Sequence, residues 1–385
     1  MNEMPFRRVA IATHYYATGP AFELEDYLRV RTQLLAFVAH PLFPGASQSY
    51  LRLYRDGTLA DEQSLPGPAG PARYFAELIR TVRWLSTSNL AFDLYVGGDN
   101  LLALPGLYMR SRHHVQKVVL YSIDFVPQRF GNPLMNKLYH GVDTFASRRV
   151  DVIWNVSDAI RKARENRDGP GSVAPEILVP VGAHVSRIAR KTLEQASQSQ
   201  IAFMGHLLEK QGVQLAIEAL PAIRTKIPTA TLLVLGDGPY ASQLRRLADD
   251  RGVRHAVEFA GYVDSHLEIE SRLADSALAV APYLPDATSF TRFADPGKLK
   301  AYLACGLPVV VTDVPEFAQT IAAAGAGSII PYNVDALAAA VVGYLINPEA
   351  LNLARIAAAR LAEQFEWSRI FRESLLRTAE IVETQ

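Results

Sequence analysis

The feature that most constrains the fold is a regular alternation of strand and helix patterns in the second half of the chain. Five short apolar runs have the length and composition of buried strands, and helical segments separate them: IAFMG, TLLVLG, AVEFAG, ALAVAPY and LPVVVT. This rhythm predicts a doubly wound parallel sheet with helices on both faces. In such sheets ligands bind beyond the carboxyl ends of the strands. We therefore look for a site in the residues that follow these five runs.

The first half of the chain has a less regular alternation of strand and helix patterns. A buried strand is predicted in RRVAIATHY, a helix over about Ala21–Leu35, and another over Pro133–Ala146. Further strands are predicted in AFDLYVGG, KVVLYSID, VDVIWNVS and ILVPVGAH. The polar connector SRIARKTLEQASQSQ then places a domain boundary near Lys191. The prediction is an α/β protein with two parallel-sheet domains, residues 1–190 and 191–365, and a final helix over 366–385.

Composition excludes several classes of protein. The 385 residues include 39 Lys plus Arg and 39 Asp plus Glu, a balance that argues against bulk binding of nucleic acid. Cys305 is the single cysteine, so no disulfide can form within the chain and a reducing cytoplasm is indicated. We see no signal peptide, and no uncharged apolar run reaches the roughly 18 residues of a membrane-spanning helix. We expect a cytoplasmic protein that meets a membrane, if at all, from its surface.

The ends of the predicted strands carry residues suited to binding an anion. IAFMG is followed by HLLEKQG, which supplies Gly205, His206 and Lys210 just before a helix. The next strand ends in GDGP, with Gly236 and Gly238, and Lys298 begins a later helix. Helix N-termini present free N–H groups and a positive partial charge, so glycines and cations there favour a phosphate ligand. Each motif alone is compatible with an ordinary turn, whereas the ordered set indicates a site.

The order of these motifs resembles the donor-binding domain of GT-B glycosyltransferases, most closely glycosyltransferase family 4, the glycosyl transferases group 1. The resemblance covers roughly Ile201–Val314 and includes FAGYVD and ACGLPVVV. It implies two Rossmann-like domains facing a cleft, an acceptor-binding first domain and a nucleotide-sugar-binding second domain. It also implies that FEWSRIFRESLLRTAEIV is a helix returning to the first domain, and that no metal or cofactor is needed, since the nucleotide sugar is a substrate.

The resemblance also implies roles for individual residues. Lys210 and Lys298 are expected to hold the diphosphate, and the backbone near Tyr262 and Val263 is expected to meet the nucleobase. The full predicted donor set is Gly205, His206, Lys210, Gly236, Gly238, Tyr262, Val263, Tyr283, Asp295 and Lys298.

Three positions depart from the family pattern. His206 stands where an arginine is usual, and it is charged only part of the time near neutral pH. Ala301 and Phe293 stand where retaining members usually carry two glutamates. Asp295 and Asp286 are the nearest acids that could replace them, although either could instead cap a turn.

Without these glutamates the stereochemical outcome is open, and an inverting reaction would need a general base. Asp124 ends an apolar strand in VVLYSIDF and is the first candidate base, with a turn-capping role as its alternative. His14, at the end of the first strand, is the second candidate. Gly19, Asp99 and Arg129 are predicted to contact the acceptor.

The predicted function is transfer of a sugar from a nucleotide-sugar donor, UDP-linked before GDP-linked, to a glycan, lipid-linked or other hydroxyl acceptor, in surface polysaccharide or glycoconjugate synthesis. The alternatives are a GT-B epimerase acting on the nucleotide sugar itself and a non-catalytic subunit that binds it. The basic stretch Arg110–Lys117 is either a solvated face or a contact for anionic headgroups at the inner membrane surface. Cys305 is expected to pack in the core.

Overall fold

The computed structural model describes residues 4–15, 19–42, 48–68, 72–87, 90–123, 125, 127–285, 293 and 295–384. The chain divides into two compact units: unit 1 comprises Met1–Pro180 and Trp367–Gln385, and unit 2 comprises Val181–Glu366. Both are α/β, each built on a largely or wholly parallel sheet, as the sequence predicts.

Unit 1 is built on an eight-stranded sheet of order β4-β3-β2-β1-β5-β6-β7-β8. Its strands are β1 (Arg8–Tyr15), β2 (Leu34–Pro41), β3 (Gln48–Arg55), β4 (Thr58–Pro66), β5 (Phe92–Gly97), β6 (Val115–Ser122), β7 (Val152–Asn155) and β8 (Glu176–Leu178). Its helices are α1 (Pro20–Arg29), α2 (Arg73–Thr87), α3 (Ala103–Ser111), α4 (Pro133–Ser147), α5 (Asp158–Asp168) and, from the end of the chain, α13 (Trp367–Glu383).

The edge of the unit 1 sheet differs from the prediction. The helix expected over Ala21–Leu35 ends at Arg29, and Leu34 begins the fully buried strand β2. Strands β3 and β4, absent from the prediction, form an antiparallel hairpin whose turn is Asp56-Gly57, both at positive φ. An Asp-Gly pair is a strong signal for a hairpin turn, so the sequence contained part of the evidence for this edge.

Unit 2 contains a six-stranded parallel sheet of order β11-β10-β9-β12-β13-β14. Its strands are β9 (Gln200–Met204), β10 (Thr231–Leu235), β11 (Val257–Gly261), β12 (Leu278–Ala281), β13 (Val309–Thr312) and β14 (Gly327–Ile330). Its helices are α6 (Val213–Lys226), α7 (Ala241–Asp250), α8 (His266–Ala274), α9 (Gly297–Ala304), α10 (Phe317–Ala323), α11 (Val334–Leu345) and α12 (Pro348–Ala362). The five strands predicted from the alternation are present, and β14 extends them.

The boundary between the units falls at Val181 rather than at Lys191. The intervening segment packs on unit 2: the Val181 N–H donates to Asp295, and Arg190 Nε donates to the Ala304 carbonyl at 2.8 Å. A polar connector can be fixed by such hydrogen bonds, and its composition does not reveal on which side of a boundary it lies.

Each sheet has one place where the strand order reverses. In unit 1, β1 lies between β2 and β5, and in unit 2, β9 lies between β10 and β12. The loops at such a point diverge to opposite faces and leave a crevice at the carboxyl ends of the strands. These two crevices are the places where the fold favours a ligand.

Within the part of the chain that the structure describes, no single helix is both long and apolar enough to span a membrane. One pair, Val334–Leu345 with Pro348–Phe365, reaches the required length and composition together but is bent by 98°.

Candidate active site

The crevice of unit 2 brings Gly205 and Lys298 into contact. Gly205 follows β9 with φ +144°, and a Cβ built there would lie 2.8 Å from Lys298 Nζ. Any larger residue at position 205 would therefore push the ammonium away, besides straining the backbone. The lysine comes from the first turn of α9, so it lies at a helix N-terminus, as the sequence predicted.

The ammonium of Lys298 is surrounded by an amide and two aromatic rings. Its Nζ donates to Gln211 Oε1 at 2.6 Å and lies 4.4 Å and 5.1 Å from the ring centroids of Phe203 and Tyr283. Burial lowers the pKa of Lys298 to about 7. Among the described residues, no carboxylate forms an ion pair with it. A phosphate oxygen placed beside Nζ would restore the charge that burial disfavours.

The ends of β9 and β10 approach each other closely enough to require a second glycine. Gly236 has φ +130°, and a Cβ there would overlap the Gly205 carbonyl oxygen. Gly238 lies two residues further on; its N–H donates to Asp237 Oδ1 at 2.8 Å, and a Cβ there would lie 2.5 Å from the Leu207 carbonyl oxygen. The predicted glycines thus allow the strand ends and the crevice to form.

A cavity of about 220 Å³ opens beside these glycines. Its walls combine backbone at the ends of β9, β10 and β11 with apolar side chains; they are formed by Met204, Gly205, His206, Leu235, Gly236, Asp237, Tyr262, Val263 and Ile269. The Tyr262 side chain is 75% exposed and offers a ring face to a ligand. The structure therefore unites five predicted donor residues around one cavity.

Lys210, His206 and Tyr283 have different environments. Lys210 is half-buried in the short 3-10 turn Glu209–Gln211, and its carbonyl accepts a hydrogen bond from Leu284 N at 3.1 Å. His206 is exposed at the cavity wall. Tyr283 is buried beneath Lys298, and its hydroxyl has no hydrogen-bond partner in the described part of the chain.

Both carboxylate oxygens of Asp295 have partners within unit 2. One carboxylate oxygen pairs with Lys300 Nζ and the other accepts the Val181 N–H at 2.8 Å. Lys300 is 1% exposed, and its Nζ also lies 3.4 Å from the centroid of the Phe317 ring. Contact between Asp295 and a sugar would require breaking this buried pair, at a large cost in free energy. Asp286 lies outside the described residues.

Gln211 is a residue that the sequence analysis missed. Its amide oxygen, rather than a carboxylate, is the hydrogen-bond partner of Lys298. The signal was its position beside Lys210 at the start of a helix, but a glutamine there is ordinary on sequence grounds. Cys305, by contrast, is buried as expected, and burial raises the pKa of its thiol to about 12.

The crevice of unit 1 holds a histidine between two carboxylates. His14 Nδ1 lies 2.5 Å from Asp99 Oδ2, and His14 Nε2 lies 3.1 Å from Glu77 Oε2. His14 comes from β1, Asp99 follows β5, and Glu77 projects from α2. The structure thus joins two predicted residues, and it adds Glu77, whose place on an amphipathic helix gave no sign of this contact.

The two carboxylates keep His14 charged. Burial alone lowers the pKa of His14, but Asp99 and Glu77 outweigh it and raise the pKa to about 10. Burial likewise opposes ionisation of Asp99, yet His14, the Leu102 N–H and the charge of Arg129 bring the pKa of Asp99 below its usual value. At neutral pH the histidine is an imidazolium that donates both protons, so it cannot act as a base while this arrangement holds.

The remaining predicted residues of unit 1 either lie near His14 and Asp99 or lie outside the described residues. Arg129 lies near enough to Asp99 to stabilise its charge, and its guanidinium lies 5.6 Å from the Tyr139 ring centroid. Gly19 precedes α1, and its carbonyl accepts the N–H of Phe22 at 2.9 Å. Asp124 lies outside the described residues. Over the described ranges, no group of three or more His, Cys, Asp or Glu side chains is placed to hold a metal ion.

Part of the chain matches a known family. Residues 198–347 match the family model described as Glycosyl transferases group 1. The chain is 28% identical over 287 residues to glycogen synthase of Mycobacterium tuberculosis, covering 72% of this chain and 66% of that protein. It is 29% identical over 211 residues to the GDP-mannose-dependent alpha-(1-6)-phosphatidylinositol monomannoside mannosyltransferase of Mycolicibacterium smegmatis, covering 51% of this chain and 54% of that protein. The alignments thus span less than two thirds of these relatives.

Solved structures show the same architecture along nearly the whole chain. Anabaena HepE in complex with UDP superposes with a TM-score of 0.71 and 13% identity, covering 98% of this chain and 100% of that one. At this identity the similarity establishes the fold, which is GT-B.

Proposed function

We propose that the chain transfers a sugar from a nucleoside-diphosphate sugar to a hydroxyl acceptor, because residues 198–347 match the family Glycosyl transferases group 1. The donor binds in the crevice of unit 2. The acceptor is a glycan or a lipid-linked glycan, and unit 1 supplies its site.

The observation that carries this proposal is the environment of Lys298. The residue is half-buried, and its ammonium donates to the amide oxygen of Gln211 and faces Gly205, the glycine after β9. A diphosphate would place negative charge beside this ammonium, and hydrogen bonds between charged groups are the strong ones. Lys210, from the adjacent turn, is proposed to contact the same diphosphate.

The cavity beside Tyr262 is proposed to hold the nucleoside. Backbone groups at the end of β11 can pair with the edge of a base, while Tyr262 and Val263 cover its faces. We favour UDP and then GDP. One neighbour in fold was solved with UDP and one relative is named GDP-mannose-dependent, so both nucleotides are supported by comparison.

The charge state of His14 bears on the choice of base. Because the imidazolium has no free lone pair, it can orient an acceptor or stabilise negative charge but cannot take a proton. Of the two candidates from the sequence, Asp124 is therefore our proposed base, and His14, held by Glu77 and Asp99, is a positioning residue. Proton removal by a placed carboxylate contributes about 100-fold to 10,000-fold to such a reaction.

A thermal-shift screen with UDP, GDP, ADP and dTDP tests the donor site. A nucleotide at 100 times its dissociation constant stabilises the fold by about 2.7 kcal/mol. We expect a shift with UDP or GDP that is strongly reduced in Lys298→Ala. The matched control is Lys226→Ala, an exposed lysine at the end of α6, which should retain the shift. No shift with any of the four nucleotides contradicts the proposed donor site.

Turnover then distinguishes the proposed reaction from its alternatives. Consumption of a nucleotide sugar that requires an acceptor extract supports sugar transfer. Conversion without acceptor indicates an epimerase, and binding without conversion indicates a subunit that presents the nucleotide sugar to a partner.

A further inference from the structure

Three helices of unit 1 expose large apolar side chains instead of burying them. Phe75 on α2 is 68% exposed, and Leu134 and Leu138 on α4 are 73% and 61% exposed. Ile79 on α2, Tyr108 on α3 and Phe145 on α4 are also exposed. Single apolar residues on a surface are ordinary, but a cluster on adjacent helices marks a surface that binds something.

These side chains form one continuous surface. A hollow of about 410 Å³ lies between α2 and α3, and another of about 520 Å³ lies between α3 and α4. Leu104 lines both hollows, so the two share a wall. On α4 the residues Leu134, Leu138 and Phe145 recur at helical spacing and therefore lie on one face. We call this area the α2–α3–α4 surface.

The charges exposed on these three helices have one sign. The acids on the three helices are Glu77 and Asp143, both 1% exposed. Glu77 contacts His14, and Asp143 pairs with Arg164 and Arg167. Each acid is thus neutralised inside the unit and contributes no exposed negative charge.

Cations, in contrast, border the hollows. Arg83 lines the hollow between α2 and α3, Lys137 lines the one between α3 and α4, and Arg112 lies next to Tyr108. The guanidinium of Arg149 stacks on Phe145, 4.1 Å from the ring centroid. The surface is therefore apolar in the middle and positive at the rim.

We propose that the α2–α3–α4 surface binds a lipid bilayer that contains anionic lipids. Exposed apolar side chains enter the boundary between headgroups and acyl chains, while flanking lysines and arginines attract anionic headgroups. A membrane is proposed because the cations at the rim complement the charge of anionic headgroups. The proposal does not depend on the sugar chemistry, and binding to vesicles can be measured without donor or acceptor.

The proposed membrane contact is not the one suggested by the sequence, which was the basic stretch Arg110–Lys117. Arg110 Nη1 lies 2.5 Å from Asp151, and Lys117 pairs with the same carboxylate at 3.8 Å. Asp151 thus balances one of these two positive charges and contacts both side chains. Within that stretch, Arg112 is the exposed cation that borders the apolar surface.

Co-sedimentation with vesicles tests the proposal. The full-length protein is mixed with vesicles of phosphatidylcholine alone or with phosphatidylglycerol added, at low and at 1 M salt. We expect binding to the mixed vesicles, weaker binding to phosphatidylcholine alone, and weakening of the former by salt, which shortens the Debye length to about 3 Å.

Two pairs of variants separate the apolar from the electrostatic contribution. Ile79→Ser with Leu138→Ser should weaken binding by about tenfold or more for each side chain that the bilayer buries. The matched control is Leu267→Ser with Leu353→Ser, two unit 2 leucines that are 64% and 61% exposed and should leave binding unchanged.

The charge variant is Arg112→Glu with Lys137→Glu, for which we expect a loss of about fivefold or more for each cation removed. Lys226→Glu with Arg246→Glu, on exposed positions of unit 2, is its control. Circular dichroism verifies that each variant is folded.

Several results would overturn the proposal. They are failure of the parent to bind the mixed vesicles, equal binding to both kinds of vesicle, and variants that bind as tightly as the parent. A dimer seen by light scattering that Leu138→Ser dissociates would show instead that this surface joins two copies of the chain.

Discussion

Nucleotide-sugar binding should be coupled to the uptake of a proton by Lys298. Burial holds the pKa of this lysine at about 7 in the unliganded protein, whereas a bound diphosphate favours the ammonium form. At pH 7 the free site is therefore about half charged, and binding should draw in about half a proton per site. Between pH 6 and pH 8 the charged fraction falls about tenfold, so affinity should fall by about 1.4 kcal/mol.

The sign follows from the direction of the pKa shift. Lys298 must carry a proton to pair with phosphate, so binding is strongest below the pKa that Lys298 has in the free protein. Binding weakens as the pH rises above that value, until the pH reaches the higher pKa that Lys298 has in the complex. The same shift affects stability: because this lysine has a lower pKa in the folded protein than in the unfolded chain, its destabilising effect is complete below about pH 7. The effect is relieved as the pH rises from there towards the ordinary lysine pKa of 10.5.

Calorimetric titration with UDP-glucose, or with GDP-mannose if the screen selects GDP, measures this coupling. A nucleotide sugar is preferable to a free diphosphate, because terminal phosphate groups themselves titrate near pH 6. Repeating the titration in buffers of different ionisation enthalpy gives the number of protons taken up.

Lys298→Ala should remove the proton uptake and weaken binding by about 1.5 to 3 kcal/mol, while Lys226→Ala should leave both unchanged. Affinity that does not vary between pH 6 and pH 8, or proton uptake that survives in Lys298→Ala, would refute the reasoning.

Three further outcomes are expected. Lys210→Ala should weaken nucleotide binding by about 1.5 to 3 kcal/mol in the same titrations, and unchanged affinity would mean that the diphosphate lies elsewhere. Glu77→Gln removes one of the two charges that raise the pKa of His14, so NMR titration of the His14 ring should show a lower pKa, and an unaltered value would mean that Asp99 alone controls it. Asp124→Asn should reduce sugar transfer by about 100-fold to 10,000-fold with nucleotide affinity nearly unchanged; transfer within a few-fold of the parent would leave Asp124 as a turn cap, and a loss of nucleotide binding would indicate a structural role.

The unit 2 crevice was predictable because its determinants are local. Each glycine and lysine stands within a few residues of the strand end or helix start that places it, as Gly205 and Lys298 illustrate. The parallel order of the strands then brings these local features to the same edge of the sheet.

The hairpin of β3 and β4 was missed for a different reason. Its Asp56-Gly57 turn was visible, but β4 is exposed along its whole length, so the apolar alternation that usually marks a strand is weak there. The helix before it was extended too far because Leu34 and Leu35 fit a helical pattern as well as the buried strand that they begin.

Long-range pairing of charges could not be predicted at all. Glu77 contacts His14 across 63 positions of sequence, and on α2 it occupies a position that any amphipathic helix could give to a glutamate. Asp295 similarly looked available for a ligand, but one of its oxygens accepts the N–H of Val181, 114 positions away in the sequence. Which acid meets which base depends on the packing of whole elements and not on the residues nearby.

The assignment of α13 to unit 1 has a consequence for how the protein is made. Thr378 on this helix accepts a hydrogen bond from Trp154 Nε1 at 2.9 Å, deep in the core, and Phe371 packs against Tyr27 with ring centroids 5.7 Å apart. During translation, most of unit 1 is therefore synthesised before unit 2, and its last helix is synthesised after unit 2. At about 5 to 20 residues per second, a ribosome needs tens of seconds to pass through residues 181–366 before it reaches the closing helix. During that interval the nascent first unit carries an unpaired indole and an uncovered apolar face, whereas unit 2 is continuous in sequence and can complete its sheet on emerging.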